Sequence, residues 1–230
     1  MDYRDLECFL RDGEIRSKRH LPIQNCHQTS HSGIVDRRGT QDAYAMPCGG
    51  TVNDYVPFYF SPRTSFTYSI FKSNVPVVSP TGESLGMSSQ NDRIFFVGRT
   101  ERIHQLGLTY CFSDLPLNAM APLPTVEQDL DKLEDIVHWR VFDEPPRYGS
   151  IEEIGYLGVH GTFRSEANPN WKMNRSRERM AEFLVRDTVP MNALDCIVVE
   201  NDAMRNRLQP IVDNYPHQLP IYVKRGCFWP

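Results

Sequence analysis

The sequence predicts an α+β fold, and three observations carry that prediction. The 230 residues are 40% hydrophobic and 23% charged, which is ordinary for a globular chain and sufficient for one sizeable core. Short apolar segments of strand and helix character follow one another without a regular alternation of the two. Seventeen prolines and fourteen glycines are spread along the chain and favour many irregular connections. We therefore expect a single domain over residues 1–230.

The net charge and the length of the apolar runs limit the classes of function that the chain could have. A formal net charge of -4 at pH 7 gives no bulk attraction to a polyanion, so binding of nucleic acid would need a local basic patch. No apolar run approaches the roughly 18–20 residues that span a bilayer, and the first residues do not resemble a signal peptide. We therefore expect a cytoplasmic protein without membrane contact.

The cysteines and histidines do not predict a metal site. The six cysteines show no paired spacing, which indicates free buried thiols in a chain without an export signal. A zinc site could be imagined from four residues of the first loop region: Cys26, His27, His31 and Cys48. These residues lack the paired ligands at tight spacing that a structural zinc site normally shows. We predict no metal.

The first fifty residues predict one helix followed by a long loop. An apolar stripe at helical spacing over residues 5–12 indicates the helix, and Gly13 is placed to adopt the left-handed conformation that ends it. Residues 16–50 are polar and irregular, with one turn of helix near residues 33–38. A loop of this length in a compact domain indicates disorder or a functional site.

The most aromatic stretch of the chain, DYVPFYFSPR at residues 54–63, predicts a buried edge strand or the wall of a pocket. Aromatic residues favour an extended, half-buried chain, while Pro57 and Pro62 limit any ladder of hydrogen bonds. Plain core is the alternative interpretation, since aromatic strands are usually core. The apolar residues 64–72 fit a helix or a strand equally well, and residues 74–91 indicate a turn region.

The remainder of the chain combines short predicted elements with a second long irregular region between residues 113 and 174. Apolar runs and helical periodicity place strands at residues 94–97, 109–112, 196–199 and 221–223, and helices at 100–106, 126–137, 175–185 and from Asn201 onward. Pro210 would kink the last of these helices.

Two groups in the sequence are candidates for chemistry. Glu182 lies among apolar neighbours in MAEFLV, where a buried carboxylate would need a partner, and such carboxylates are candidate catalytic groups. A solvent-facing glutamate on an amphipathic helix fits the same pattern. Arg37 and Arg38 lie in the first long loop, and their forked guanidinium groups suit recognition of phosphate or carboxylate. A solvated pair of loop arginines is the alternative.

A basic cluster lies just before Glu182. Four positive residues fall within eight positions: Lys172, Arg175, Arg177 and Arg179. On a helix several of them would share one side, which would give the local patch that a DNA backbone needs. A solvated helix face explains the same spacing.

Two motifs give the chain a resemblance to a known family. No GxGxxG, Walker A, HExxH or paired-cysteine motif is present. The stretch from Gly49 to Arg63, with its DYVPFYFSPR, and MAEFLV at residues 180–185 agree in order and spacing with the DarT family of DNA ADP-ribosyltransferase toxins. The similarity covers nearly the whole chain, including the helix that ends at Gly13 and the run YCFSD at residues 110–114.

The resemblance implies a fold and a reaction. The fold is that of the ADP-ribosyltransferases, with two packed β-sheets around an NAD cleft and peripheral helices. The activity is transfer of ADP-ribose from NAD to a base in single-stranded DNA, with thymine favoured and guanine possible, a reaction of the glycosyltransferase or nucleotidyltransferase type. NAD is then a co-substrate and no metal takes part. The protein would be a monomeric toxin that a macrodomain antitoxin neutralises by removing the mark.

Matching positions imply the roles of individual residues. The resemblance assigns catalysis to Arg38 and Glu182. We further expect Arg38, Tyr55 and Gly13 to bind NAD, and the basic cluster to bind DNA. Residues of about 33–55 match the family's NAD-binding element. Residues of about 113–179 match the loop that presents the DNA base.

The chain departs from the family pattern in two places. Family members usually begin with a short strand carrying a His-Ile-Thr-like segment that grips the nicotinamide end of NAD, and this sequence starts about where that segment finishes. A histidine often follows the Phe-Thr-Asp run in members that modify thymine, whereas Ser113-Asp114 is followed here by Leu115-Pro116. A protein that keeps the fold and binds single-stranded nucleic acid without catalysis is the alternative function.

Overall fold

The structure is a computed structural model that describes residues 1–40, 46–161 and 175–230. Its α-helices are α1 (Leu6–Asp12), α2 (Ser32–Thr40), α3 (Ser65–Phe71), α4 (Thr100–Gln105), α5 (Leu133–Ile136), α6 (Arg140–Asp143), α7 (Arg175–Glu178) and α8 (Asp202–Asp213). Its strands are β1 (Glu14–Arg16), β2 (Gln28–Thr29), β3 (Tyr55–Tyr59), β4 (Pro76–Val78), β5 (Ser84–Met87), β6 (Phe95–Val97), β7 (Tyr110–Ser113), β8 (Val126–Glu127), β9 (Arg147–Tyr148), β10 (Val159–His160), β11 (Glu182–Arg186), β12 (Thr188–Pro190), β13 (Cys196–Val199) and β14 (Ile221–Val223). Within the described ranges, no helix is long and apolar enough to cross a membrane.

Two sheets share the main core. One is antiparallel with the strand order β3-β11-β7-β8, and the other has the order β14-β13-β6. Strands β13 and β14 run parallel, and α8 lies in the crossover that parallel neighbours require. One continuous apolar cluster joins the sheets, with Val56 and Phe183 from the first and Phe96 and Ile197 from the second. The predicted α+β class is confirmed, and smaller sheets accompany the two: β1-β12, β9-β10 and β2-β4-β5.

Strand β11 presents different chemistry on its two faces. It lies inside the larger sheet, with β3 on one side and β7 on the other. Because side chains alternate along a strand, Phe183 and Val185 belong to the main core, while Glu182 and Leu184 lie on the opposite face. Leu184 packs there in a smaller apolar cluster with Met46, Val52, Tyr55, Cys111 and Leu117. The face that carries Glu182 is therefore dry as well.

Several elements agree with the sequence predictions. Helix α1 lies at the predicted place and ends at Gly13, whose φ of 71° is the left-handed conformation. The aromatic stretch forms β3 at the edge of its sheet, where Pro57 is tolerated because an edge strand does not need every N–H. The ambiguous residues 64–72 form α3, and Thr64 caps this helix by accepting a hydrogen bond from the N–H of Thr67.

The predicted helix at residues 175–185 is wrong. Only α7 is helical, and the chain turns before β11 begins at Glu182. The apolar run after Glu182 is buried on both faces between two strands, so it lacks the alternation that marks a strand in the sequence. Glu182 is therefore a strand residue and not a helix residue.

Three further predictions need correction. The predicted helix at residues 126–137 is β8, a turn of 3₁₀ helix and the four-residue helix α5. The predicted turn region at residues 74–91 contains β4 and β5, whose hairpin ends in an exposed edge strand with little apolar signal. The first long loop carries the nine-residue α2 where one turn of helix was expected.

Candidate active site

The site is built around Glu182, the first residue of β11. Its side chain is 0% exposed, so the carboxylate has lost its hydration. A buried carboxylate is tolerated where hydrogen-bond donors or an opposite charge replace the lost water. The structure supplies three hydrogen bonds to the Glu182 oxygens, from two segments that lie far from β11 in the sequence.

Arg38, in the last turn of α2, provides two of these hydrogen bonds. Its Nη1 donates to Oε1 of Glu182 at 2.9 Å, and its Nη2 donates to Oε2 at 2.7 Å. This parallel, bidentate arrangement is the one in which a guanidinium binds a carboxylate most strongly. The side chain of Arg38 is 14% exposed, whereas that of Glu182 is fully buried. Solvent, and any ligand, therefore approaches the pair from the arginine side.

The segment that follows β7 provides the third hydrogen bond. The backbone N–H of Leu117 donates to Oε1 of Glu182 at 3.0 Å. Ser113, the last residue of β7, accepts a hydrogen bond from the backbone N–H of Glu182 at 3.3 Å and donates to the carbonyl of Leu115 at 2.7 Å. Ser113 thus links β11 to the segment that carries the Leu117 amide. The carboxylate is held by the backbone independently of Arg38.

Helix α2 is held by the turn that precedes β3. Nδ2 of Asn53 donates to the carbonyl of Val35 at 2.9 Å, and a Cβ on Gly39 would lie 2.7 Å from that nitrogen. Gly39 therefore leaves the room that this close approach needs. Arg19 also donates to the carbonyl of Gly39 at 2.6 Å. These contacts place the last turn of α2 over the start of β11.

Tyr59 lies beside Glu182 on the neighbouring strand. The register of β3 and β11 puts the two residues directly opposite each other, so their side chains share one face of the sheet. Burial raises the pKa of the Tyr59 phenol, and the charge of Glu182 raises it further, while the charge of Arg38 lowers it. The phenol consequently stays protonated and can donate a hydrogen bond at the site.

This arrangement combines a fixed negative charge with a positive charge on a long, partly exposed side chain. Glu182 can stabilise a cation or accept a hydrogen bond from a hydroxyl, and Arg38 can bind an anion. Because Leu117 and the sheet hold Glu182, the carboxylate need not move when the arginine turns toward a ligand. In the part of the chain that the structure describes, no group of three or more His, Cys, Asp or Glu could hold a metal ion.

The basic cluster does not form one surface. Lys172 lies outside the described residues. Arg175 is 1% exposed and donates to Oε2 of Glu144 at 2.7 Å and to the carbonyl of Val141 at 3.0 Å. Arg179 is 0% exposed and donates to oxygens of Val141, His160, Ser61 and Arg63. The guanidinium groups of Arg175 and Arg179 are thus engaged inside the protein, which does not favour DNA binding, and contact of either residue with DNA stays a prediction.

The two buried arginines act as structural braces. Burial, followed by the nearby charge of Arg175, lowers the pKa of Arg179 to about 10. Arg177 is more exposed, and it donates to the carbonyls of Ala121 at 2.6 Å and Pro122 at 3.2 Å, in the segment between β7 and β8. Contact of Arg177 with DNA stays a prediction.

The predicted NAD-binding residues Tyr55 and Gly13 have clear structural roles. Tyr55 is 1% exposed, and its phenol donates to the carbonyl of Gly49 at 2.9 Å beside the smaller apolar cluster. Gly13 ends α1, and its carbonyl accepts a hydrogen bond from the N–H of Met191 at 2.9 Å. These contacts do not involve the Arg38–Glu182 pair. Contact of either residue with NAD stays a prediction.

Comparison with known proteins gives the family. A family model described as ssDNA thymidine ADP-ribosyltransferase, DarT, matches residues 2–229. The chain belongs to the DarT family. A DNA ADP-ribosyl transferase of Thermus sp. (strain 2.9) is 27% identical over 213 residues, which cover 92% of this chain and 84% of that relative.

Solved DarT structures share the fold of this DarT-family chain. Thermus sp. 2.9 DarT in complex with ADP-ribosylated ssDNA matches with a TM-score of 0.77 at 19% identity, covering 100% of this chain and 93% of that one. Thermus sp. 2.9 DarT in complex with NAD+ matches with a TM-score of 0.67 at 17% identity, covering 100% and 94%. At these identities the likeness shows the ADP-ribosyltransferase fold alone.

Two parts of the site in this DarT-family chain could not be predicted from the sequence. Leu117 contributes a backbone N–H, and a backbone donor leaves no signal in the pattern of side chains. Tyr59 falls within the aromatic stretch, which suggests core or pocket wall without separating one aromatic residue from another. Its place opposite Glu182 follows from the pairing of β3 with β11, and that pairing requires Glu182 to be on a strand.

Proposed function

We propose that this protein transfers ADP-ribose from NAD to a base in single-stranded DNA, with thymine the favoured acceptor and guanine possible. The observation that carries the proposal is a buried carboxylate, Glu182, held by Arg38 and Leu117 in a chain that matches the family over residues 2–229. A carboxylate fixed in a dry site is the group that a reaction through a sugar cation needs. The same features support NAD as the co-substrate.

Glu182 acts on the ribose of NAD. Cleavage of the bond between ribose and nicotinamide leaves positive charge on the sugar while nicotinamide departs with the electron pair. A carboxylate that needs no reorganisation can lower such a barrier by about 3 kcal/mol. To accept a hydrogen bond from a ribose hydroxyl, Glu182 gives up one bond from Arg38 and keeps the one from Leu117.

The acceptor nitrogen of the base must lose a proton when it bonds to the sugar carbon. A guanidinium is protonated at any physiological pH and is a poor base. We assign the proton to Glu182, which lies within reach of Arg38 and of the open side of the site. Arg38 then orients an NAD phosphate or stabilises the deprotonated base.

A transfer assay tests this function. Single-stranded oligonucleotides that carry thymine or guanine at one position are incubated with NAD and the protein, and their masses are measured. The expected result is the gain of one ADP-ribosyl group on the thymine oligonucleotide. Glu182→Gln is the matched control, because the amide keeps the size of the side chain and its acceptor for Leu117, and it should abolish transfer.

The outcomes separate the candidate functions. Transfer to guanine alone would overturn the favoured acceptor and keep the reaction. Full transfer by a folded Glu182→Gln variant would remove Glu182 from the mechanism. Binding of the intact oligonucleotide by the wild type without any mass gain would indicate a silent binding module that keeps the fold.

We further propose that the protein is a cytoplasmic, monomeric toxin that a macrodomain antitoxin neutralises by removing ADP-ribose from DNA. Family membership supports this role. Expression of the wild type should arrest growth of a host bacterium, and either Glu182→Gln or co-expression of a macrodomain hydrolase active on ADP-ribosylated DNA should restore growth. Arrest that persists in the Glu182→Gln variant would count against the proposed role.

A further inference from the structure

Positive charge collects where the turn at residues 17–20 meets the end of α2. The N–H of Ser17 donates to the carbonyl of Asp187 at 2.7 Å, and Arg19 donates to the carbonyl of Gly39 at 2.6 Å. Lys18 lies between these two anchors, so the chain fixes its position next to α2. We call the resulting set of surface cations the cationic rim; it consists of Lys18, Arg19 and Arg37, beside Arg38.

The cationic rim has few counter-ions. Arg38 is paired with Glu182, and Arg19 lies 3.9 Å from Oδ2 of Asp54, which also accepts a hydrogen bond from Thr51. Among the residues that the structure describes, Lys18 and Arg37 take part in no ion pair. Lys18 and Arg37 are therefore cations without a paired carboxylate in that part of the chain, although the exposed Asp36 precedes Arg37 on α2.

Within the described ranges, the positive charge of Lys18 has no stabilising contact in the local structure. Arginines in the last turn of a helix are stabilised by the negative end of the helix dipole, which accounts for Arg37 and Arg38. Lys18 lies outside the helix. Partial burial of its ammonium group lowers the pKa of Lys18, and the nearby charge of Arg38 lowers it further. An anion between Lys18 and Arg38 would relieve this repulsion.

We propose that the cationic rim binds a phosphate group of the substrates, either the pyrophosphate of NAD or the DNA phosphodiester next to the acceptor base. The inference rests on the proposed function, since both substrates carry phosphates. The net charge of -4 leaves phosphate binding to a local patch, and two of the four members of the patch that the sequence predicted, Arg175 and Arg179, are buried. Lysine serves as a point charge for phosphate, while the arginine fork can bind two of its oxygens.

Two titrations of the full-length protein test the rim without requiring catalysis. The variants are Lys18→Gln, Arg37→Gln and the double variant. Arg205→Gln is the control, because this exposed arginine on α8 makes its ion pair with Asp202 and its loss changes the net charge by as much as each single variant. One titration adds NAD without DNA and is followed by calorimetry. The other adds a single-stranded oligonucleotide without NAD over a series of salt concentrations.

The two arms distinguish the source of the phosphate. If the rim holds DNA, each lost cation reduces the slope of log affinity against log salt by about 0.7, and NAD affinity is unchanged. If the rim holds the pyrophosphate, the double variant binds NAD about tenfold more weakly and its salt slope matches the control. A double variant equal to Arg205→Gln in both titrations overturns the proposal.

The proposal and the proposed function can fail separately. Wild-type transfer of ADP-ribose together with unchanged titrations would retain the reaction and remove the rim from it. Weakened titrations without any transfer by the wild type would retain the phosphate site and reject the reaction. The variants are at surface positions, where substitutions usually change the stability of the fold very little.

Discussion

The Arg38–Glu182 pair predicts an asymmetric loss of stability. In Arg38→Met, Glu182 stays at 0% exposure as a buried charge with the Leu117 N–H as its remaining described donor. Removing one partner of a buried ion pair typically lowers the free energy of unfolding by about 3–5 kcal/mol. In Glu182→Gln, Arg38 is 14% exposed and can turn into water, so we expect a loss of about 1 kcal/mol.

These free energies translate into measurable shifts. For a chain of this size, each kcal/mol changes the melting temperature by about 2–4 °C, so Arg38→Met should lower it by roughly 6–20 °C and Glu182→Gln by about 3 °C. The double variant removes the buried charge itself. It should therefore regain about 2 kcal/mol relative to Arg38→Met. With the loss of about 1 kcal/mol in Glu182→Gln, the coupling energy between the two positions is about 3 kcal/mol, the upper end of the usual range for residues in contact.

Urea unfolding followed by far-UV circular dichroism measures all of these quantities. The comparison covers the wild type, the two single variants and the double variant, with Arg205→Gln as the surface control. One common slope of the unfolding free energy against urea concentration is used for all of them. Equal losses for the two single variants would refute the reasoning. So would a double variant no more stable than Arg38→Met, because burial of the Glu182 charge would then not be the cause of the loss.

Four other substitutions test neighbouring features. Glu178 is buried with one unpartnered oxygen, and burial raises its pKa. The fold therefore favours the uncharged form of Glu178. As pH rises above about 4.3, the wild type should lose stability that Glu178→Gln keeps, so the melting temperature of the variant should rise relative to that of the wild type. A difference in melting temperature that stays constant between pH 4 and pH 8 would contradict this. Tyr59→Phe should leave unfolding unchanged and slow transfer by about tenfold through one lost hydrogen bond, as single-turnover rates would show. Gly39→Ala crowds the amide that holds α2 and should lower the free energy of unfolding by about 1 kcal/mol in urea, together with the transfer rate. In Arg179→Lys, the single ammonium group cannot reach the four oxygens that Arg179 contacts. This variant should therefore lower the melting temperature more than Arg177→Lys does, and equal shifts would contradict the reasoning.

The sequence predicts the elements of the site better than their assembly. The apolar neighbours of Glu182 correctly indicate that its charge needs a partner, yet that partner lies 144 positions away and no local pattern connects the two. The spacing around Glu182 fits a helix, whereas the structure makes it a strand, because burial on both faces removes the alternation of polar and apolar residues. Motif resemblance supplies the pair that periodicity could not.

The basic cluster shows the same gap between a sequence pattern and its assembly. Spacing along the chain shows that Arg175 and Arg179 could share a side of a helix, but it does not show whether that side faces water. In the structure both guanidinium groups donate to the backbone carbonyl of Val141, a contact that no side-chain pattern reveals. Local charge density in the sequence therefore does not show which positive charges are available to a phosphate.

The ion pair and the cationic rim are linked by the energetics of Arg38. A ligand hydroxyl that replaces a guanidinium N–H at Glu182 exchanges a hydrogen bond between two ionised groups for one in which only the carboxylate is charged, so the attraction of the opposite charge is lost. The exchange is unfavourable unless the guanidinium gains a new anion. A phosphate beside Lys18 would be such an anion, and it would also relieve the repulsion between the two cations. Opening of the Glu182 site and binding of a phosphate at the rim should then be coupled, so that each favours the other.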